Sequence, residues 1–189
     1  MRIEFDPHQS WLSLRERAAR TENPLHQQLL NEVANHMEAE IKGDHAALMA
    51  TLTPEPVYHF WRLGPENAVL EGYEAVAQFY STMFENKGQQ FHVVTNNIIV
   101  DDGGVITEGK VRQIYARDTL LSLGVTHVGE AAIEDHELWL SNTQLITVWP
   151  HDGNGKLVGE DIYFGEDPMS IDAFQRLRST RVLCPLTLR

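Results

Sequence analysis

A tight-turn sequence joins two long β-type runs near the middle of this 189-residue chain. The turn is Asp101-Asp102-Gly103-Gly104, and the runs are Phe91 to Val100 and Val105 to Tyr115. Aspartate and glycine between alternating apolar runs predict a β-hairpin in which Val100 opposes Val105. A hairpin fixed at its turn also fixes which side chains share a face.

The predicted register divides the hairpin side chains between two faces. One face is mainly apolar and holds His92, Val94, Asn96, Ile98, Val100, Val105, Thr107, Gly109, Val111, Gln113 and Tyr115. The other holds Val93, Thr95, Asn97, Ile99, Ile106 and the charged Glu108, Lys110 and Arg112. We expect the first face to point inward, with Asn96, Gln113 and Tyr115 as ligand contacts. Gly109 in mid-strand leaves room for a ligand near the sheet.

Helix signals precede the strands. Asn23-Pro24 is typical of a helix start, and apolar residues then recur at helical spacing as far as Gly43. Asp44 can cap a second helix, and a third carries the stripe Val76, Phe79, Tyr80, Met83 and Phe84. Helices followed by strands predict an α+β domain whose helices cover the inward face of the sheet.

Composition excludes several classes of partner. The formal net charge is −12 without a Lys/Arg cluster, which argues against nucleic acid and anionic membranes. Cys184 is the only cysteine, so neither a disulfide framework nor a cysteine metal site is expected. The nine histidines show no metal-ligand spacing, and we predict neither metal nor cofactor. No secretion signal is evident, and we expect a cytoplasmic protein.

The ends of the chain have separate predictions. Residues 1–21 are expected to form an extension with a short docking helix around Trp11, and residues 22–168 the main domain. Residues 169–189 are expected to form a final helix, with Phe174 in its apolar stripe, and a tail. The stretch 117–135 is expected to carry an extra strand or a loop that covers the pocket.

The order of elements and several short strings resemble the SnoaL-like families of the nuclear-transport-factor-2-like superfamily. The strings are Leu70-Glu71-Gly72-Tyr73-Glu74-Ala75-Val76, Val105-Ile106-Thr107-Glu108 and Gly155 to Phe164. The resemblance implies a cone-shaped, curved antiparallel sheet with N-terminal helices that close an apolar pocket. Members of the superfamily include polyketide cyclases, isomerases, dehydratases, hydrolases and domains that only bind, so the fold alone does not define the function.

One member of the superfamily, limonene-epoxide hydrolase, gives a useful contrast. Its catalytic arginine and two aspartates fall on Gly109, Val111 and Ile162 of this chain. Epoxide hydrolysis by that triad is therefore excluded. The same comparison places Ile162 inward, and period-two alternation then places Glu160 and Phe164 inward too.

The resemblance and the residues together imply a small-molecule pocket with acid/base groups. We predict Glu160 as the proton shuttle, assisted by His92, with Tyr58 and Asn96 holding a developing oxyanion. Phe60, Phe79 and Phe164 complete the predicted substrate contacts. The expected substrate is a small apolar carbonyl or hydroxyl compound.

Two other functions remain open at this point. One is a ligand-binding domain without chemistry, and the other is a small assembly subunit of an oxygenase. The charged face of the hairpin, interspersed with Val93, Ile99 and Ile106, suits a homodimer interface, and a homodimer is expected.

Overall fold

The structure is a computed structural model that describes residues 5–61, 68–122, 124–128, 130–135, 137–166 and 174–177. A 3-10 turn, Pro7–Gln9, precedes five helices. These are α1 (Leu12–Ala19), α2 (Pro24–Lys42), α3 (His45–Met49), α4 (Tyr73–Glu85) and α5 (Arg117–Ser122). None of the helices in these ranges has the length and apolarity that a membrane crossing requires.

The strands form one open, curved, mostly antiparallel sheet and a small separate hairpin. They are β1 (Leu52–Trp61), β2 (Ala68–Glu71), β3 (Phe91–Asp101), β4 (Gly104–Ala116), β5 (His127–Val128), β6 (Ala131–Ala132), β7 (Leu138–Pro150), β8 (Leu157–Phe164) and β9 (Phe174–Leu177). The sheet order is β2-β1-β8-β7-β4-β3, with β9 also paired to β7, whereas β5 and β6 pair with each other. The pair β1 and β8 is parallel, and the predicted α+β cone with its helices over one face is confirmed.

Helix α2 forms where the sequence predicts it. The side chain of Asn23 accepts hydrogen bonds from the backbone N–H groups of Leu25 and His26, and Gly43 follows the last turn. Its buried face packs against the sheet and is formed by Leu29, Leu30, Val33, Ala34, His36, Met37, Ala39 and Ile41. Helix α2 therefore closes the inner face of the sheet, with His36 fully buried and Glu40 half-buried.

The β3–β4 hairpin follows the predicted register only near its turn. Val100 opposes Val105 and Asn97 opposes Glu108, but a bulge at Asn96 shifts the pairing so that Thr95 opposes Gly109. Beyond a one-residue bulge, each side chain lies on the face opposite to the one that an unbulged strand would give it. Val93 therefore points inward and His92 outward, contrary to the prediction.

Gly109 is explained by the bulge and not by a ligand. A side chain at this position would overlap the backbone of Val94 and Thr95 on β3. The prediction that Gly109 makes room for a ligand is therefore wrong. Its missing side chain allows the bulged strand to approach β4.

The N-terminal extension covers the exposed edge of the sheet. The hydroxyl of Ser10 accepts a hydrogen bond of 3.0 Å from the backbone N–H of Val93, and Ser10 is buried. Phe5 packs edge-on against His92, whose Nδ1 accepts a hydrogen bond of 3.3 Å from the backbone N–H of Asp6. Since β3 is an edge strand, this cover satisfies part of an otherwise unpaired edge.

The stretch between β4 and β7 builds a small second core. Helix α5 and the β5–β6 hairpin place Leu120 and Ile133 against Tyr115 and Trp139. The predicted extra strand is present as β5. The predicted final helix differs from the structure, because Phe174–Leu177 is a strand paired with β7. The rest of the predicted final helix lies outside the described residues, and the domain boundaries at 22 and 168 stay a prediction.

The outer face of the sheet carries the predicted charged residues. The Glu108 carboxylate accepts hydrogen bonds from Asn97 and Gln144, which lie on the two neighbouring strands. Ile99 is exposed on this face, whereas Val93 is not part of it. The expected homodimer through this face stays a prediction.

Candidate functional site

The inner face of the sheet and helices α2 and α4 enclose a cavity of about 230 Å³. Its wall is mainly apolar and includes Met37, Phe60, Phe79, Met83, Phe91, Val93, Val111, Leu145, Trp149, Ile162 and Phe164. Its polar members are Glu40, Tyr80, Thr107, Gln113, Tyr115, Thr147 and Glu160. No lysine or arginine lies among the described lining residues, so the wall offers no cation to a carboxylate or phosphate ligand. The cavity therefore suits a small, uncharged and largely apolar ligand.

Glu160 lies on β8 at the wall of this cavity, and only 5% of its surface is exposed. Its Oε1 lies 3.1 Å from Nε2 of His36. The hydroxyl of Tyr80 donates to the same oxygen at 3.2 Å. A buried carboxylate requires such partners, and these contacts fix the carboxyl group at the edge of the cavity.

His36 is oriented by Thr51, which lies on the side of the ring away from Glu160. The Thr51 hydroxyl donates its one proton to the backbone carbonyl of Leu48 at 2.6 Å. The contact of 2.7 Å between Thr51 Oγ1 and His36 Nδ1 therefore requires a proton on Nδ1. Nε2 is left to face Glu160, and it can accept a proton from the carboxyl group or donate one to it.

Two tyrosines complete the polar cluster. The Tyr58 hydroxyl lies 3.3 Å from His36 Nε2, and the Tyr80 hydroxyl lies 3.2 Å from the same nitrogen. Burial, followed by the nearby charge of Glu160, raises the pKa of both phenols well above the usual value. Both phenols therefore stay protonated and act as hydrogen-bond donors around Glu160.

Glu40 is a second carboxyl group at the same cavity. It lies four residues after His36 on α2, so the two side chains are neighbours on one face of the helix. Burial, and secondarily the charge of Glu160, raises the pKa of Glu40 well above its usual value. Across the described residues, we find no hydrogen-bond donor to the Glu40 carboxyl group. Its polar end is therefore available to a ligand in the cavity.

Most of the sequence-predicted site residues meet at this cavity. The predicted residues that line it are Glu160, Phe60, Phe79, Gln113, Tyr115 and Phe164. The Gln113 amide donates to the backbone carbonyl of Gly88 and accepts from the Tyr115 hydroxyl. Tyr58 is fully buried and contacts His36 and Tyr80 instead of forming part of the wall.

Two predicted residues do not belong to the cavity. The bulge turns His92 to the opposite face of the sheet, where the N-terminal extension buries it. Asn96 is the bulged residue itself and is exposed. The prediction that these two side chains face the pocket is therefore wrong, and neither can assist Glu160.

Three residues of the site were missed by sequence reasoning: His36, Glu40 and Tyr80. A signal for two of them exists in α2, where His36 and Glu40 continue the helical spacing of the buried Leu29 and Val33. Polar residues that continue an apolar stripe are candidates for buried functional groups. Tyr80 was assigned only to a packing stripe, although its hydroxyl has the role described above. Within the described ranges, no group of three or more histidine, cysteine or acidic residues is arranged to hold a metal ion.

The sequence matches the family model of the SnoaL-like domain over residues 33–139, which is more than half of the chain. The chain belongs to the SnoaL-like family. No curated protein matches it. The matched region contains residues 33–42 of α2, all of α4 and the β3–β4 hairpin, and hence the parts of the fold that contribute His36, Glu40 and Tyr80.

Solved structures with a similar fold share little sequence with this SnoaL-like chain. A protein from Shewanella putrefaciens named as a SnoaL-like polyketide cyclase has a TM-score of 0.57 and 13% identity, with 80% of this chain and 86% of that chain covered. Bal32a, from a soil-derived mobile gene cassette, has a TM-score of 0.54 and 15% identity, with 79% and 95% covered. A nuclear-transport-factor-2-like protein from Anabaena variabilis has a TM-score of 0.52 and 12% identity, with 79% and 96% covered. At these identities the likeness establishes the fold alone.

Proposed function

We propose that this SnoaL-like protein is a cofactor-independent acid/base enzyme that acts on a small, largely apolar carbonyl or hydroxyl compound. The observation that carries the proposal is the buried Glu160 carboxyl group, held at the cavity wall by Nε2 of His36 at 3.1 Å. A carboxylate fixed beside an imidazole in an apolar cavity is suited to general-base or general-acid catalysis. The names of polyketide cyclases among the structural neighbours are compatible with this class of reaction.

Each residue of the site has a separate role in the proposed reaction. Glu160 removes a proton from a carbon next to the substrate carbonyl, and His36 stabilises the carboxylate and can share the proton. Tyr80 donates to Glu160 and borders the cavity, so its hydroxyl keeps the base in position. The aromatic wall excludes water and holds the apolar part of the substrate.

The experiment measures exchange of the α-protons of 2-tetralone for deuterium in D₂O by ¹H NMR. This ketone is apolar and enolisable, and proton exchange reports general-base action without knowledge of the natural product. We expect the protein to accelerate exchange over buffer and Glu160→Gln to lose ~100-fold or more of that acceleration.

The matched control is Glu108→Gln, which makes the same chemical change on the outer face of the sheet, where Glu108 bonds to Asn97 and Gln144. Its exchange rate is expected to equal that of the wild type. An unchanged rate in Glu160→Gln would remove this residue from the chemistry.

A ligand-binding domain is the second candidate, because Glu160 Oε1 already has two protein partners, His36 and Tyr80. A carboxyl group that is satisfied by the protein can be structural. Saturable binding of the ketone without any exchange above buffer would support this candidate over the enzyme.

A further inference from the structure

We propose that Glu40 is a second catalytic residue, a general acid that donates its proton to the substrate oxygen while Glu160 removes the proton from carbon. This inference rests on the proposed acid/base function of the cavity. It adds a residue on α2 to the proposed chemistry, and it defines the substrate as a neutral molecule with a hydrogen-bond-accepting oxygen.

Helix α2 places Glu40 at the cavity that Glu160 also lines. Residues four apart on a helix lie one above the other, so α2 presents His36 and Glu40 to the same side. His36 binds Glu160, and Glu40 lines the cavity that Glu160 also lines. In a cavity of about 230 Å³, a ligand that fills the space between α2 and the sheet meets both carboxyl groups.

The two carboxyl groups differ in their hydrogen-bond partners. Glu160 has contacts with His36 and Tyr80, which can stabilise its negative charge. Glu40 has no hydrogen-bond partner among the described residues, and the ionisable groups that act on it are the like-charged Glu160 and the phenols of Tyr58 and Tyr80, with His36 four residues earlier on the same helix. Burial beside another carboxylate favours the protonated form of Glu40. A protonated carboxyl group at the same cavity as a hydrogen-bonded carboxyl group is arranged for the acid role.

The chemistry balances with these two carboxyl groups alone. Glu160 takes the α-proton, and the electrons of the broken C–H bond form the C=C bond of an enol. The electrons of the C=O π bond move to the oxygen and form its bond to the proton of Glu40, so the reaction ends with Glu160 protonated and Glu40 ionised. The total charge of the two carboxyl groups is the same before and after, and the return of both protons restores the site. Neither an oxidant nor another reactant is needed.

The test uses the full-length protein and the 2-tetralone exchange assay across a pH series. In the wild type, we expect exchange to fall at high pH, where Glu40 loses its proton. Glu40→Gln is expected to lower the rate ~10- to 100-fold and to abolish the decrease at high pH. Gln keeps the shape of Glu, and the amide cannot supply a proton. Glu38→Gln on the same helix is the matched control, because Glu38 pairs with Arg15 and Lys42 at the surface.

A second measurement does not depend on turnover. The infrared carbonyl band of a protonated carboxyl group should be present in the wild type at neutral pH and absent from Glu40→Gln. Failure of this inference is distinct from failure of the proposed function. One result would overturn the inference and leave the function of Glu160 in place. In that result, Glu40→Gln keeps the full exchange rate and its decrease at high pH, whereas Glu160→Gln loses the accelerated exchange. No exchange by the wild type would overturn both.

Discussion

Nδ1 of His36 donates a hydrogen bond to the hydroxyl of Thr51 over 2.7 Å, and the same hydroxyl donates to the carbonyl of Leu48. This pair fixes the tautomer of a fully buried histidine whose other nitrogen faces Glu160. Thr51 lies away from the cavity wall, yet it decides which nitrogen of His36 meets the carboxyl group.

Replacement of Thr51 tests this relationship. Thr51→Val keeps the shape of the side chain and removes the hydroxyl, so the Nδ1–H of His36 loses its acceptor. We expect the free energy of unfolding to fall by ~1–3 kcal/mol, because a buried polar group is left unsatisfied. Urea denaturation measures this change, and the exchange rate of 2-tetralone should fall as well. Thr51→Ser keeps the hydroxyl and is expected to retain most of the stability and most of the exchange rate. Equal behaviour of the two variants would argue against an orienting role of Thr51.

The pH dependence of stability provides a prediction for Glu40. Burial and the charge of Glu160 raise its folded-state pKa above the usual 4.5, so the unfolded chain releases this proton at a lower pH than the folded chain. Above pH 4.5 the unfolded chain ionises at Glu40 while the folded chain keeps the proton. The free energy of unfolding therefore falls progressively as the pH rises above 4.5. Glu40→Gln should become more stable than the wild type over this range, by an amount that grows with pH until the raised pKa is passed. Denaturation in urea at a series of pH values measures the difference.

Glu38, on the same helix, is expected to give stability the opposite dependence on pH. Its pKa is lowered, first by the hydrogen bond from Lys42 and also by Arg15, so its contribution to stability is present above its unfolded pKa and disappears as the pH falls. Glu38→Gln should therefore be less stable than the wild type at neutral pH and approach it in acid. A parallel response of the two variants to pH would contradict the assignment for Glu40.

Gly159 precedes Glu160 on β8 and has a φ angle of +148°. A Cβ at this position would overlap the backbone of Val57 on the parallel strand β1. We expect Gly159→Ala to destabilise the fold by about 3 kcal/mol or more, since overpacking and a disfavoured φ combine. It should also displace Glu160 and lower the exchange rate. Gly153→Ala is the control, with a φ of +80° in an open turn without neighbours within 4 Å, where only the strain of about 1 kcal/mol applies.

Ser10 tests the cover on the edge strand. Ser10→Ala leaves the buried N–H of Val93 without its acceptor, and we expect a loss of ~1–3 kcal/mol in the free energy of unfolding. Amide hydrogen exchange at Val93 should accelerate at the same time. Ser13→Ala removes a hydroxyl from the same extension but leaves this bond intact, and a similar loss in that variant would show that the effect is not specific to the edge.

The sequence was sufficient for the elements that local signals define. The Asn23 cap and Gly43 predict the ends of α2, and the aspartate-glycine turn predicts the pairing of Val100 with Val105. The resemblance predicted Ile162 and Glu160 at the cavity, and both line it. These features depend on short stretches of chain or on one period-two alternation, so a single sequence can specify them.

The misplaced residues have one physical cause. The segment around Asn96 has no local turn signal for a bulge, and the cue on the partner strand, Gly109, has two readings: space for a ligand or close approach of another strand. The choice between them depends on how β3 is bent, which is a tertiary property. His36 and Glu40 were missed for a different reason, since their function depends on which elements pack opposite α2.

The bulge at Asn96 also has an evolutionary consequence. Loss of this one residue, by an in-frame deletion of a single codon, would remove the bulge and leave Thr95 opposite Gly109 and Val93 opposite Val111. Val93 would then stay at the cavity and His92 on the opposite face, and Glu160, His36 and Glu40 on other elements would keep their places. The gene can thus lose this codon without a change in the ionisable groups of the pocket, and a family built on this sheet can vary the length of β3 while it keeps its chemistry.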